Sequence, residues 1–334
     1  MRWLIRFCVV LAVLWCGWWW GASTVTERAV SAWFEARRTE GWQAELNALK
    51  VTGFPSQFQV VAGKVILADP RTSVGLETPK LDISAPAYWP GDVTLRLPED
   101  PIILGSAAGV VTIRAMDAQA KVEVHPGAAL ELEGFHADSG PWQVNVAQGN
   151  LMSAEGFSAE MSQDVTLPER YNVGVNAKSF APGDLIRAAL ALPADWPITF
   201  DTFAGDLMVT FATPLDRHTL KDRRVHPRSV ELRALDLVWG DLRLGATGAV
   251  AIDTEGTPEG EVKVSVENWR QLLDFAERGG VIDTGLRAQA ELVLNALANL
   301  GGDPNRMIVN LGFKQGQMFV GPIPVGPAPK FTRR

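Results

Sequence analysis

Apolar positions along this chain follow three rhythms in succession. Residues 7–25 form a run of 19 without a charge, preceded by Arg2 and Arg6. As a helix rising 1.5 Å per residue, that run spans about 28 Å, close to the ~30 Å hydrocarbon core of a bilayer. A single crossing is predicted over residues 1–26. In residues 29–49 the landmarks Trp33, Phe34, Trp42 and Leu46 predict a helix interrupted at Gly41, so that residues 27–50 link the anchor to the rest of the chain. After Gly53-Phe54-Pro55 the period shortens to two, as in Val93-Thr94-Leu95-Arg96-Leu97, Val122-Glu123-Val124 and Val144-Asn145-Val146. Alternation of this kind marks half-buried antiparallel strands.

The second half alternates more cleanly. Val173 and Val175 are followed by Leu207, Val209 and Phe211, then by Val230, Leu232, Leu235 and Leu237, and later by Val262, Val264 and Val266. On the order of fourteen strands fit the 8–12-residue spacing of turn signals in β proteins. Gly240-Asp241 and Gly256-Thr257-Pro258-Glu259-Gly260 read as hairpin turns. Helices are predicted over 182–192, 268–278 and 283–300, the last two stopped by Gly279-Gly280 and Gly301-Gly302. In the last helix Leu286, Ala290, Val293, Leu294, Leu297 and Leu300 form one apolar stripe, read as packing on the sheet. The prolines at 322, 324, 327 and 329 place the C-terminal segment at a sheet edge.

The predicted fold is therefore mainly β with an α+β character. It is an elongated, curved antiparallel sheet or β-groove with a few flanking helices and one N-terminal transmembrane helix. The β-rich part covers 51–334, with 51–170 and 171–334 as two similar halves.

Composition refines this picture. Of twelve tryptophans, five (Trp3, Trp15, Trp18, Trp19, Trp20) fall in the first twenty residues, together with the only two cysteines, Cys8 and Cys16. The body therefore has no thiol for a disulfide, a nucleophile or a metal. Trp18-Trp19-Trp20 suits the membrane interface and leaves no small residues ahead of a cleavage site, which favours a retained anchor. The competing reading is a cleaved signal peptide, with Gly21-Ala22-Ser23 as its weak site. The two arginines hold the N-terminus in the cytoplasm, so the remaining chain is expected to be exported. From Glu27 onward the net charge is −9, which gives no general reason to bind nucleic acid.

Catalytic signatures are missing: no GxSxG, HExxH or phosphate-loop motif occurs, and no two histidines share a helix face. The sequence nominates no catalytic residue, no cofactor and no metal ligand, and the protein is expected not to be an enzyme. His136-Ala137-Asp138-Ser139 contains triad residue types but reads as a turn. One segment departs from its acidic surroundings. Residues 214–233 carry a net +3 and read as a long hairpin loop. Arg217, Lys221, Arg223, Arg224 and Arg228 are its candidate contacts with an anionic headgroup or an acidic partner, while a plain solvated loop is the alternative.

Gly41-Trp42, Gly53-Phe54-Pro55, Trp239-Gly240-Asp241-Leu242, Gly248, Asp253, Gly256, Gly260 and Gly321-Pro322-Ile323-Pro324-Val325-Gly326 together resemble a bacterial family, domain of unknown function 2125. That resemblance implies a single-anchor exported protein and transfers no catalytic residue. Residues 229–300 also resemble segments of AsmA-like envelope proteins, which implies a β-groove fold and phospholipid movement by analogy of fold alone. The functional expectation is a non-enzymatic inner-membrane-anchored protein that binds lipid or assists envelope lipid homeostasis. The alternative is a structural or assembly factor that binds an envelope membrane-protein partner.

Overall fold

The structure is a computed structural model that describes residues 2–221, 225–280, 282–300, 303–321 and 323–331. Its mainly antiparallel β architecture, with a few helices and an apolar N-terminal helix, is the one the alternation predicts. The chain divides into two compact units, Met1–Val124 with Val144–Ala147, and His125–Gln143 with Gln148–Arg334.

The first unit begins with α1 (Arg2–Thr39), a continuous helix of 38 residues. The linking helix predicted as far as residue 49 stops ten residues early, by the last residue of α1. Gly41 adopts φ +89°, open to a residue without Cβ, and the Trp42 N–H turns back to the Arg37 carbonyl at 3.0 Å. Beyond it Gln43-Ala44-Glu45-Leu46 alternates between exposed and covered positions, so the segment pairs as a strand. The expected interruption is thus a terminus.

Ten strands follow in this unit: β1 (Gln43–Leu46), β2 (Lys50–Thr52), β3 (Gln57–Ala62), β4 (Val65–Asp69), β5 (Val74–Thr78), β6 (Leu81–Pro86), β7 (Val93–Arg96), β8 (Ile102–Ser106), β9 (Gly109–Ala115) and β10 (Gln119–Val124). Within the unit they pair as β1-β4-β5-β8-β9 and as β2-β3-β6-β7-β10. The chain therefore lays one hairpin in one sheet and the next hairpin in the other, through β2–β3, β4–β5, β6–β7 and β8–β9 in turn. Phe34 of α1 closes the beginning of both sheets in a buried cluster with Ala44, Ala62 and Val65.

The remaining strands are β11 (Leu132–Ser139), β12 (Trp142–Val146), β13 (Gly149–Ala154), β14 (Gly156–Gln163), β15 (Arg170–Lys178), β16 (Ala181–Pro182), β17 (Thr202–Phe211), β18 (Pro227–Trp239), β19 (Leu242–Ile252), β20 (Pro258–Glu267), β21 (Arg306–Lys314), β22 (Gln317–Val320) and β23 (Ile323–Pro327). The helices are α2 (Asp184–Ala189), α3 (Arg217–Lys221), α4 (Trp269–Arg278) and α5 (Thr284–Leu300). In the second unit the strand order is β11-β14-β15-β17-β18-β19-β20-β21-β22-β23. Every pairing in this series is antiparallel. The order ends on β23, where Pro324 and Pro327 bring no N–H to an outer edge.

Both predicted hairpin turns are present. Trp239 pairs with Leu242, so Gly240-Asp241 is a two-residue loop, and Gly240 takes φ +59°. Ile252 pairs with Pro258, and the Asp253 carboxylate accepts the Glu255 and Thr257 N–H groups inside the turn. The 23 described strands exceed the predicted fourteen, mainly because strands such as β2, β4, β5 and β8, of three to five residues, are too short for their alternation to be counted.

Candidate functional site

The registers of the second unit gather apolar side chains on one face of its sheet and most polar ones on the other. Phe135 pairs with Met161, Met161 with Val173, Val173 with Leu207 and Leu207 with Leu232. Leu232 continues to Gly248, Gly248 to Val262, Val262 to Leu311 and Leu311 to Val320. A parallel row runs through Ala159, Val175, Gly205, Leu235, Ala246, Val264 and Val309. Side chains alternate across a strand, so the other face carries His136, Glu160, Asn172, Asp206, Glu231, Thr247, Lys263 and Asn310. One face is apolar from β11 to β22.

Continuity of that face depends on an irregularity. Leu232 and Leu235 are three residues apart and in a regular strand would point to opposite faces. Opposite β17, Leu207 pairs with Leu232 and Asp206 with Ala234, leaving Arg233 as the extra residue of a bulge. Both leucines therefore share the apolar face. Arg233 points to the polar face, where its guanidinium meets the Asp206 carboxylate at 2.7 Å.

Coverage of the apolar face is uneven. At the β19–β21 end Trp269 and Leu273 of α4 and Ala298 of α5 bury Leu242, Val266, Met307 and Val309. In the middle Val173, Val175, Leu207, Val209, Leu232 and Leu235 are only half-buried. Where α4 meets the sheet lies a cavity of about 350 Å³ lined by Leu190, Phe200, Leu237, Trp239, Leu242, Leu244, Leu272, Phe275 and Ala276. Its lining is wholly apolar and its size is that of a small ligand pocket. Trp239 is held there by its indole N–H on the Pro197 carbonyl at 2.9 Å and by stacking on Phe200 at 4.6 Å.

The stripe predicted on α5 is narrower than its sequence suggests. Ala290, Leu294 and Ala298 face the core, whereas Leu286 (57% exposed) and Val293 (41%) turn outward. Leu297 and Leu300 have side chains outside the described part of the structure. Arg287 ties α5 to Asp274 and Glu277 of α4.

The basic segment joins β17 to β18 and contains α3, a short helix that the sequence reading missed. Arg217 and Arg228 are exposed, and the Arg217 Nε–H donates to His218 Nε2 at 3.2 Å. Arg223 and Arg224 lie outside the described residues, as does the side chain of Lys221. The base of the loop is fixed by Tyr171, whose buried hydroxyl accepts the Leu215 N–H at 3.0 Å. Burial pushes the Tyr171 phenol above its ordinary value. Asp216 accepts the His218 and Thr219 N–H groups at the start of α3, and the Thr219 N–H and hydroxyl hold its carboxyl below the usual range. Arg217 and Arg228 and the apolar cavity sit at opposite ends of β17, a strand of 10 residues and about 30 Å.

In the first unit Trp18, Trp19 and Trp20 behave as three different residues. Trp20 is exposed (72%), Trp18 half so (48%), and Trp19 buried (9%). Trp19 stacks on Phe58 and meets Phe54 edge-on. Phe54 and Phe58 were not read as partners of these tryptophans. Their only local signal is an aromatic turn in Gly53-Phe54-Pro55.

His136-Ala137-Asp138-Ser139, read from the sequence as a turn, is the end of strand β11. Its apolar-polar alternation continues that of Phe135, which puts His136 and Asp138 together on the polar face and Ser139 on the other. His136 Nε2 and Asp138 Oδ1 are 3.3 Å apart.

These features define a β-rich protein whose N-terminal helix is apolar and long enough to cross a membrane, with an apolar sheet face behind it in sequence. Residues 18–329 match the family model described as "Uncharacterized protein conserved in bacteria (DUF2125)", and the chain belongs to that family. A search of curated proteins gives no match.

Proposed function

We propose that this is a non-enzymatic protein anchored in the bacterial inner membrane by α1, with its bulk in the periplasm, that binds lipid on the apolar face of its second unit and serves envelope lipid transport or homeostasis. The observation that carries this reading is the half-buried middle of that face, six Val and Leu side chains beside the region where α4 and α5 cover the sheet. A dry core would bury such residues fully, and their exposed area is the surface an acyl chain covers. The all-apolar cavity at Trp239 extends the surface at one end. At the other end the exposed Arg217 and Arg228 supply charges that suit a phosphate headgroup. Arg2 and Arg6 ahead of the apolar run support the orientation. The resemblance of residues 229–300 to segments of AsmA-like envelope proteins falls on β18–β20, α4 and α5 and supports the same reading by analogy of fold.

Native mass spectrometry and lipid extraction of the detergent-purified full chain test this. Phospholipid retained in near-stoichiometric amount is expected. A chain that is consistently lipid-free after mild purification overturns the reading. A second reading, an assembly factor that docks a membrane-protein partner, is favoured by the outward Leu286 and Leu292 (72% exposed) of α5. Photocrosslinking from position 292 in cells separates the two, since that face yields a protein adduct only under the second.

A further inference from the structure

Hairpin β2–β3 runs along α1 past Glu27, the first charged residue after the apolar run. The Val51 N–H donates to the Glu27 carboxylate at 3.2 Å, while at the far end the Pro55 carbonyl accepts the Trp15 indole N–H at 3.0 Å. Twelve helical residues separate those contacts, so the turn reaches about 18 Å past Glu27 toward the N-terminus. The headgroup zone on each side of a bilayer is only about 6 Å thick. If α1 crosses the membrane with its uncharged run, the turn cannot remain in water.

Its chemistry fits that position. Backbone at membrane depth must be satisfied internally. The Gly53 carbonyl accepts the Gln57 N–H, the Ser56 carbonyl accepts the Ala87 N–H, and the Gln57 carbonyl accepts the Trp19 indole. With Pro55, four carbonyls of the turn are engaged, and proline brings no N–H. Phe54 projects half-exposed (51%) from the tip, and polar side chains are confined to Ser56 and Gln57. The neighbouring loop after β6 lies level with Gln57 through its pairing with Pro86, and presents Tyr88 (78% exposed) beside Trp89. Aromatic rings with one polar tip are the side chains favoured at a membrane interface.

We infer that the turn Gly53-Phe54-Pro55 and the adjoining Tyr88 form a second membrane contact, seated in the leaflet that faces the first unit and docked on Trp15 and Trp19. This rests on the reading of α1 as an anchor. The consequence is a first unit fixed in depth and rotation at the bilayer rather than swinging on a tether.

The test uses the full chain in a Cys8→Ser, Cys16→Ser background, reconstituted in phosphatidylcholine–phosphatidylglycerol vesicles. Single cysteines are introduced by Phe54→Cys, Tyr88→Cys, Leu11→Cys or Val165→Cys and labelled with an environment-sensitive fluorophore. Val165 is 100% exposed and reports water. The probes at 54 and 88 are expected to be quenched by nitroxide-bearing lipid and to show at least fivefold less iodide quenching than the probe at 165. Iodide access at 54 and 88 equal to that at 165, with the probe at 11 in lipid, overturns the inference and leaves the anchor standing. Iodide access at 11 overturns both. Because 54 and 88 lie on separate loops, loss of one variant to misfolding leaves the other as reporter.

Discussion

Trp19 lies face to face with Phe58, the ring centroids 5.6 Å apart and the planes 12° from parallel, and donates its indole N–H to the Gln57 carbonyl at 3.1 Å. The helix that carries Trp19 is therefore part of the packing of the first unit and not only a leader ahead of it. Cleavage after Ala22 or Ser23 would remove this contact. Intact mass of the membrane-extracted protein is expected to include residues 1–23. Trp19→Ala in the retained chain should cost about 3 kcal/mol, near the low end for truncating a packed aromatic, measured as a lower unfolding midpoint of the detergent-solubilised protein.

The bulge in β18 yields a sharper contrast. Deleting Arg233 removes the extra residue and forces the strand on one side of it to present its apolar side chains to the polar face. That deletion should abolish cooperative unfolding of the second unit. Arg233→Ala keeps the register and removes an ion pair whose side chains are 40% and 51% exposed, so it should cost less than about 1 kcal/mol. Thermal melts of the two variants make the comparison. Equal destabilisation would show that the salt bridge matters more than the register.

Tyr171→Phe leaves the Leu215 N–H without its acceptor in a buried place. About 1–3 kcal/mol of stability should be lost. Limited proteolysis should then cut the segment between β17 and β18 faster than in the parent chain, while cleavage elsewhere is unchanged.

Asp216 gives a pH dependence whose sign follows from its hydrogen bonds. Its carboxyl titrates below the ordinary 3.8 in the folded chain, so its contribution is present above that value and disappears as the pH falls through the lower, folded one. Amide exchange at His218 and Thr219, corrected for intrinsic rates, should stay protected from pH 7 to about 4 and accelerate below it. Asp216→Ala should show fast exchange at every pH.

Ala276→Phe probes the cavity beside Trp239. The ring enters space of about 350 Å³ already lined by apolar atoms, so folding should be affected by less than about 1.5 kcal/mol, while co-purified lipid should fall several-fold if acyl chains occupy that space. Extraction and quantification of phosphorus per chain is the measurement.

Alternation made the second unit legible. Val173, Val175, Leu207 and Val209 announce their face because one side of each strand meets water. Local chemistry also announced Gly240-Asp241, the turn at Asp253 and the helix of residues 269–278. Three features escaped because they depend on partners distant in sequence. The step from Leu232 to Leu235 looks like noise in a period of two until the register with Leu207 and Gly248 shows a bulge. The helical landmarks at Trp42 and Leu46 are equally compatible with a strand, and pairing of residues 43–46 with 65–68 decides between them. The docking of Trp19 on Phe58 spans 39 positions and leaves no periodic trace. The basic segment was visible as charge, but the hold of Tyr171 on its base was not, since a lone tyrosine in a strand looks the same with or without a buried partner.

Strand β23, with Pro324 and Pro327 on the last edge of the sheet, has a bearing on how many copies can coexist on one surface. Under the anchored reading chains share a plane and meet far more often than in solution, and an open row of backbone donors would let each recruit the next into a growing fibre. Pro324 and Pro327 interrupt that row of donors, which makes this edge a poor template for a further strand.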